Sequence, residues 1–341
     1  MRRILTVVLA LCFGIPQAYA WGNRGHELVA YIAYTHLDPA TQKKVDALIQ
    51  LNPCYKEWNT SVSSLPAAQQ PLAIFMLAAT WPDKIKLAAP LSKTPYDCQP
   101  GFNFSKTDGA VGKNGRVSVD VAPDVPDASQ NIGYTDDRRH QYWHFIDQPM
   151  AADGVATQPA GKVNVLTEVE LLSTALATKE DPALASYDLV WLEHLTGDLH
   201  QPLHDAQRFS TAFPNGDAGG NLVQICPGTT PCREELHGYW DDLPGSDSSL
   251  IATIKMGATI DPAAPPADDA IDIDHPENWA ASSLALAQSD VYTAPFTPEA
   301  KNVDPTAIPA AYKAKAMDDM KQQIVIAGYR LNKMISRGLA S

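Results

Sequence analysis

Apolar positions recur with a helical period along most of the chain, whereas strand-like alternation is rare. Apolar side chains spaced three and four residues apart predict amphipathic helices, and Asp, Asn or Ser before such a run favours a helix start. The predicted helices begin near Asn23 and cover Asp38 to Leu51, Pro71 to Thr80, Asn164 to Thr178, Ser186 to about Leu203, Arg233 to Leu243, His275 to Gln288 and Pro309 to Arg337.

Two segments lack this period. Residues 92–136 are rich in Gly, Pro, Asp and Ser, and residues 244–276 carry clusters of Pro and Asp, so both are predicted to be long loops. The first loop has room for a short hairpin. The pattern therefore predicts a mainly α fold with long loops.

The first twenty residues have the features of a signal peptide. Arg2 and Arg3 precede an apolar run from Ile4 to Gly14, and Ala18-Tyr19-Ala20 is a small-x-small pattern that signal peptidases cleave. The run is shorter than the ~20 apolar residues that span a bilayer. We expect an exported protein, periplasmic or secreted, with a signal peptide at 1–20, one domain at 21–341 and no stable membrane association. An uncleaved membrane anchor is the alternative.

The chain is acidic, with 26 Lys and Arg against 39 Asp and Glu and a formal net charge of −13. This balance argues against a nucleic-acid binder that relies on a basic surface. It leaves phosphate-containing substrates open, provided that bound cations supply the positive charge.

Four cysteines follow the signal segment: Cys54, Cys98, Cys226 and Cys232. An even number in an exported chain suggests two disulfides. The pair Cys226 and Cys232, around the turn-rich P-G-T-T-P, is favoured, which leaves Cys54 with Cys98. The other two connectivities stay open, and no C-x-x-C spacing supports metal binding.

Histidines and aspartates that could bind a metal are concentrated in two runs. These are E-H-L-T-G-D-L-H-Q-P-L-H at 193–204 and L-H-G-Y-W-D-D at 236–242. In the first run His194 and Asp198 are four residues apart, as are His237 and Asp241 in the second, so each pair shares a helix face. Imidazole nitrogen and carboxylate oxygen are zinc ligands. One such pair arises easily by chance, but two pairs together with His204 indicate a metal site.

Two further positions strengthen this interpretation. His144 lies among aromatics in Y-W-H-F-I-D, where the alternative is a packed core histidine. Cleavage after Ala20 would free the α-amine of Trp21, whose pKa of ~7.7–8.0 allows it to bind a metal, and its own carbonyl would complete a five-membered chelate. His26 is close enough in sequence to join it. Alternatively, Trp21 is simply the residue where the peptidase cuts.

Together these motifs resemble the S1/P1 nuclease family in order and spacing. The matching pieces are Trp21 with His26, W-P-D at 81–83, W-H-F-I-D at 143–147, H-L-T-G-D-L-H-Q-P-L-H at 194–204, G-D-A-G-G-N at 216–221 and H-G-Y-W-D at 237–241. The resemblance implies a single-domain helical fold, related to zinc phospholipase C, with three zinc ions. It also implies hydrolysis of single-stranded DNA and RNA to 5′-nucleotides, together with 3′-nucleotidase activity. We expect a monomer.

The resemblance assigns roles to individual residues. One zinc ion would take Asp83, His144, His194 and Asp198; a second would take the amine and carbonyl of Trp21, His26 and the bridging Asp198; a third, more exposed, would take His204, His237 and Asp241. Asp83 and Asp198 would be the catalytic carboxylates.

Substrate contacts are also implied by the resemblance. Lys86 would contact phosphate, Phe145 would stack on a base and Asn221 would position a nucleobase. The alternatives are an exposed lysine, a core phenylalanine and an asparagine that orients its loop. Asp242 departs from the pattern, because some family members have an asparagine there that contacts phosphate.

Two other functions remain open. A zinc phospholipase C-type enzyme would also cleave a phosphodiester, although W-H-F-I-D and G-G-N favour a nuclease. A non-catalytic zinc-binding protein would use the same ligands.

Overall fold

The computed structural model describes residues 21–87, 133–135, 140–151, 154–178, 181–228, 234–246, 249–262, 264–297, 300 and 304–340, without the side chains of residues 86, 87 and 135. These residues form eleven α-helices: α1 Asn23–Thr35, α2 Pro39–Ile49, α3 Tyr55–Ser61, α4 Gln70–Ala78, α5 Trp81–Leu87, α6 Val165–Leu176, α7 Pro182–Asp198, α8 Leu236–Asp241, α9 Leu250–Ile260, α10 Pro276–Leu286 and α11 Ala310–Gly338. The predicted mainly α class is confirmed.

The described residues also form five short strands: β1 Gln148–Ala151, β2 Ala206–Phe209, β3 Gln224–Cys226, β4 Glu234–Glu235 and β5 Thr306–Ala307. β1 pairs in parallel with β2, while β3 lies between antiparallel β4 and parallel β5. The hairpin that residues 92–136 were expected to accommodate falls mainly outside the described residues.

Side-chain caps explain why several helices begin where they do. The Asp38 carboxylate accepts hydrogen bonds from the backbone amides of Ala40 (2.8 Å) and Thr41 (3.1 Å), and Pro39 occupies the first helical position of α2. Asn164 forms a reciprocal capping box with Thr167 at the start of α6.

The structure corrects both boundaries of the helix that was predicted from Ser186 to about Leu203. α7 begins at Pro182, four residues before the predicted Ser186, because the Asp181 side chain caps it by accepting from the Ala183 amide at 2.9 Å. It ends at Asp198 instead of continuing to Leu203, since the chain turns ahead of Pro202, which disfavours a helix.

The predicted loop at 244–276 contains a helix, so that prediction was wrong. The Pro and Asp clusters lie after residue 260, whereas L-I-A-T-I-K-M-G-A-T-I before them forms α9. The Ser249 side chain caps α9 by accepting from the Ala252 amide at 3.4 Å.

The core surrounds α7, which is buried on every side from Ala185 to Asp198. α6, α11, α5 and α1 pack against it, and α1 in turn packs against α11, α4 and α9. Among the described residues, no helix combines the length and apolar character needed to cross a membrane.

The cysteine prediction stays open. Cys54 is buried just before α3, and Cys226 ends β3. Their predicted partners, Cys98 and Cys232, lie outside the described residues. Both disulfides therefore remain predictions.

Close packing of α1 on α11 gives a test of the fold. A Cβ added at Gly328 would lie 2.6 Å from the Ile32 Cβ and 3.1 Å from the Val29 carbonyl oxygen. We expect Gly328→Ala to lower the free energy of unfolding by about 1–3 kcal/mol, because the helices would have to separate. Urea denaturation measures this change. Gly238→Ala is the control, since a Cβ there would meet no described atom within 4 Å; an equal loss in both variants would contradict the packing argument.

Candidate metal centre

The C-terminal end of α7 supplies the centre's first two side chains. His194 and Asp198 are fully buried and share one helix face, with His194 Nε2 3.3 Å from Asp198 Oδ2. His194 Nδ1 lies 2.8 Å from the Ala79 carbonyl oxygen. Because a carbonyl only accepts, Nδ1 carries the proton and the Nε2 lone pair faces Asp198.

Asp83 from α5 and His144 converge on the same point, forming with His194 the first group. His144 Nδ1 lies 2.9 Å from His194 Nε2, 3.0 Å from Asp198 Oδ2 and 3.8 Å from Asp83 Oδ1. Asp83 Oδ1 lies 3.6 Å from His194 Nε2. Tetrahedral zinc with ligands at ~2.0–2.2 Å separates its ligand atoms by roughly 3.3–3.6 Å, so the spacing of these donors fits one ion.

The second group consists of His26, His194 and Asp198. His26 Nε2 lies 3.4 Å from Asp198 Oδ1, and the His26 ring stacks on the His194 ring at a centroid distance of 3.7 Å. Gly197 permits this approach, since a Cβ there would lie 2.7 Å from His26 Nδ1. The two oxygens of Asp198 thus face different groups, which is the arrangement a bridging carboxylate requires.

Trp21 lies two residues before the start of α1, and its indole is completely buried. The next amide, that of Gly22, donates to the Asp241 carbonyl oxygen at 2.9 Å. This hydrogen bond holds the first described residues beside α8, close to the side chains of the centre.

The third group consists of His204, His237 and Asp241. His204 Nε2 lies 3.1 Å from His237 Nε2 and 3.9 Å from Asp241 Oδ1, and His237 Nε2 lies 3.5 Å from Asp241 Oδ2. The resemblance implied that this group would be more exposed, but no residue in it exceeds 3% exposure. It also adjoins the second group, with His204 Nδ1 4.0 Å from Asp198 Oδ1.

Backbone carbonyls orient both histidines of the third group. His204 Nδ1 lies 2.6 Å from the His144 carbonyl oxygen, and His237 Nδ1 lies 2.7 Å from the Gly219 carbonyl oxygen. In each ring the proton is on Nδ1, which leaves the Nε2 lone pair directed toward the other donors.

Gln201 is a functional neighbour that the sequence did not reveal. Its Nε2 donates to Asp241 Oδ1 at 2.6 Å, and its Oε1 accepts from the Leu203 amide at 2.6 Å. The side chain is fully buried and fixes one oxygen of Asp241. Its position inside the run at 194–204 was the available signal, but residue type and spacing alone did not distinguish it.

The structure describes the side chains of two of the three predicted substrate contacts, Phe145 and Asn221. Phe145 follows His144 and is partly buried against the core. The Asn221 side chain donates to the Ala218 carbonyl oxygen at 2.7 Å, within its own loop. Lys86 belongs to α5, but its side chain lies outside the described part of the structure. Asp242, at the end of α8, is exposed.

The donor set suits divalent cations for an electrostatic reason. Asp83, Asp198 and Asp241 are at most 2% exposed and lie in adjoining groups. Removing carboxylates from water is costly, and bringing them together adds repulsion. Neutral imidazoles supply ligand atoms without supplying positive charge, so cations held among these side chains would offset both costs.

The fold and the site define a mainly helical protein with three adjoining His/Asp groups, each able to hold a metal ion. The chain belongs to the S1/P1 nuclease family, whose model matches residues 21–100 and 108–340. Membership makes it a phosphodiester hydrolase that acts on nucleic acids, and the phospholipase alternative is not favoured.

Two relatives show how far this similarity extends. Nuclease S1 of Aspergillus oryzae is 25% identical over 346 residues, covering 97% of this chain and 96% of the relative. Endonuclease 2 of Arabidopsis thaliana is 23% identical over 245 residues, covering 70% of this chain and 60% of the relative.

Metal stoichiometry tests how the groups share their ligands. Because Asp198 faces the first and second groups, we expect Asp198→Ala to lose two of three bound divalent ions, whereas Asp241→Ala loses one. Mass-spectrometric metal analysis after dialysis against a weak chelator gives the counts. Asp274→Ala, which removes an exposed ion pair with Arg337, is the control that should retain three. Equal losses in the Asp198 and Asp241 variants would refute a shared carboxylate.

Proposed function

We propose that this chain is an exported zinc-dependent nuclease that hydrolyses single-stranded DNA and RNA to 5′-nucleotides and also removes 3′-phosphates. The observation that carries the proposal is the position of Asp198, fully buried, with one oxygen facing His144 and His194 and the other facing His26. A carboxylate placed this way serves two ions held close together, an arrangement suited to phosphoester hydrolysis.

The proposed ligands come from the three groups, with Asp198 added to the first and His194 assigned to the first alone. Asp83, His144, His194 and Asp198 would hold one zinc ion, His26 and Asp198 a second with the amine and carbonyl of Trp21, and His204, His237 and Asp241 the third. The Trp21 amine becomes available only after removal of residues 1–20. Burial of the Trp21 indole and the hydrogen bond from Gly22 to Asp241 support a fixed position for this terminus.

When bound, zinc ions lower the pKa of a coordinated water and neutralise charge on phosphate oxygens. The side chains would supply orientation: Asp83 and Asp198 would be the catalytic carboxylates that hold the ions, while the carbonyls of Ala79, His144 and Gly219 fix the imidazole rings. Release of 5′-nucleotides requires cleavage of the P–O3′ bond, so the attacking water must lie opposite the 3′ oxygen.

Substrate recognition would involve Phe145, Lys86 and Asn221. An aromatic ring beside the ligand His144 would stack on an unpaired base, which contributes roughly 1–3 kcal/mol without strong sequence preference. Lys86, one turn after Asp83, would contact phosphate, and Asn221 would position the nucleobase. We further propose one monomeric domain over 21–341, with Cys54 paired to Cys98 and Cys226 to Cys232.

The N-terminal ligand gives the sharpest test of this function. We compare protein beginning at Trp21 with protein that retains Ala20, where the Trp21 nitrogen is an amide and cannot act as an amine ligand. Release of 5′-nucleotides from single-stranded DNA is followed before chelation, after chelation and after zinc is restored. We expect zinc-dependent activity from the first protein and at least a roughly 10–100-fold lower rate from the second, since losing even an outer-shell partner has that effect.

The same assay separates the alternatives. Turnover of phosphatidylcholine vesicles without turnover of DNA would indicate the phospholipase. Three bound ions with no phosphoester turnover would indicate a zinc-binding protein. Equal rates from the two N-terminal forms would remove Trp21 from the ligand set.

Strand preference follows from the burial of the donors. Each His and Asp residue of the three groups is at most 3% exposed, so a phosphate in a rigid duplex would be held away from them. An unpaired nucleotide has the freedom to turn toward the centre. We expect much faster cleavage of single-stranded than of double-stranded DNA of the same length and sequence, measured at constant salt. Equal rates would contradict the preference.

A further inference from the structure

A buried ion pair lies outside the three groups. Arg208 in β2 and Asp217 are both completely buried, with Arg208 Nε 3.2 Å from Asp217 Oδ2. The Arg208 backbone amide donates to Asp217 Oδ1 at 3.0 Å, and the Tyr292 hydroxyl donates to Asp217 Oδ2 at 2.9 Å. Burying two charged side chains is costly even when they are paired, so the position of this ion pair calls for an explanation.

The guanidinium is fixed by more than Asp217. Its Nη1 donates to the carbonyl oxygens of Phe296 at 3.2 Å and Thr297 at 2.9 Å. It also lies over the rings of Phe213 and Tyr292, at 4.9 and 5.0 Å from their centroids. Arg208 therefore holds Asp217 in one position relative to the core.

Asp217 belongs to the segment G-D-A-G-G-N, residues 216–221, which we call the glycine loop. Its backbone is left-handed at Gly216, Ala218, Gly219 and Gly220. Ala218, at a φ of 53°, has a conformation that L residues rarely adopt, so its surroundings must maintain it. Asp217 is both a residue of this loop and the acidic partner in the buried ion pair with Arg208.

The glycine loop contacts the third group of the candidate metal centre through Gly219. The Gly219 carbonyl oxygen accepts from His237 Nδ1 at 2.7 Å, while His237 Nε2 faces His204 and Asp241. A Cβ at Gly219 would lie 2.4 Å from the Leu203 carbonyl oxygen, so the carbonyl reaches His237 only because this residue is glycine.

We propose that Arg208, Asp217 and Tyr292 are positioning residues for His237. The ion pair fixes the glycine loop, the loop fixes the Gly219 carbonyl, and that carbonyl keeps the proton of His237 on Nδ1. The Nε2 lone pair is then available to a divalent cation in the third group. This inference rests on the proposed function for the identity of the metal, zinc, but its effect on the imidazole does not depend on catalysis.

The experiment compares Asp217→Asn and Tyr292→Phe with Arg330→Gln as a matched control. Arg330 is another buried arginine, which lies over Trp279 and donates to His200 Nε2 at 2.6 Å, away from the glycine loop. Zinc affinity is measured by competition with a chromophoric chelator. The His237 tautomer is read from imidazole nitrogen shifts by NMR in the metal-free protein. Thermal unfolding reports the general loss of stability in each variant.

We expect Asp217→Asn to lower the affinity for one of the three zinc ions by about 10–100-fold, the typical effect of removing an outer-shell partner. The affinities for the other two ions should be unchanged. Tyr292→Phe removes one hydrogen bond and should act on the same ion more weakly. In both variants His237 should become a mixture of Nδ1–H and Nε2–H forms. Arg330→Gln should lose stability while keeping three ions and the Nδ1–H form.

Several outcomes would overturn the proposal. These are unchanged affinity and tautomer in both variants, equal weakening of all three ions, or the same single-ion loss in Arg330→Gln. If Asp217→Asn does not fold, Tyr292→Phe decides by the same readouts. Failure of the proposed function would give different results. The wild-type protein would bind zinc without cleaving DNA, or it would bind no zinc while the His237 tautomer still changed in the two variants.

Discussion

The structure depends on one buried carboxylate. Asp198 is the last residue of α7, where the helix dipole places partial negative charge, and it is completely buried. Both circumstances oppose an ionised side chain. A position this unfavourable is stable only if positive charge is supplied nearby and the helix is held by the rest of the core. The need for cations and the burial of α7 are therefore linked.

The surroundings of α7 meet the second condition. Trp81 and Trp143 each pack edge-to-face on Trp191, at ring-centroid distances of 6.2 and 4.9 Å, and all three residues are buried. The three carbonyls that orient ring nitrogens come from separate segments, after α4, before β1 and in the glycine loop. Ligand orientation is consequently a property of the backbone, which a packed core holds more rigidly than it holds exposed side chains.

The sequence revealed the local part of this design but not its long-range part. The pairs His194 with Asp198 and His237 with Asp241 follow from helical spacing, and the caps of α2 and α6 follow from residue type. Gln201 and the Gly219 carbonyl could not be predicted, because their partners, Asp241 and His237, are 40 and 18 residues away. The helix α9 was missed for another reason. Residues 244–276 were considered together, and the Pro and Asp residues after α9 dominated the composition of that segment.

Burial of the donors also explains how an acidic protein can act on a negatively charged substrate. A chain with a net charge of −13 repels a polyanion at long range, so its surface as a whole cannot attract nucleic acid. Attraction must arise where cations are concentrated, and the three groups collect their carboxylates and imidazoles in one place. Long-range repulsion disfavours nonspecific binding, whereas cations held in the three groups would attract a phosphate that approaches them closely. An acidic surface and a nuclease site are compatible because attraction is confined to the point of chemistry.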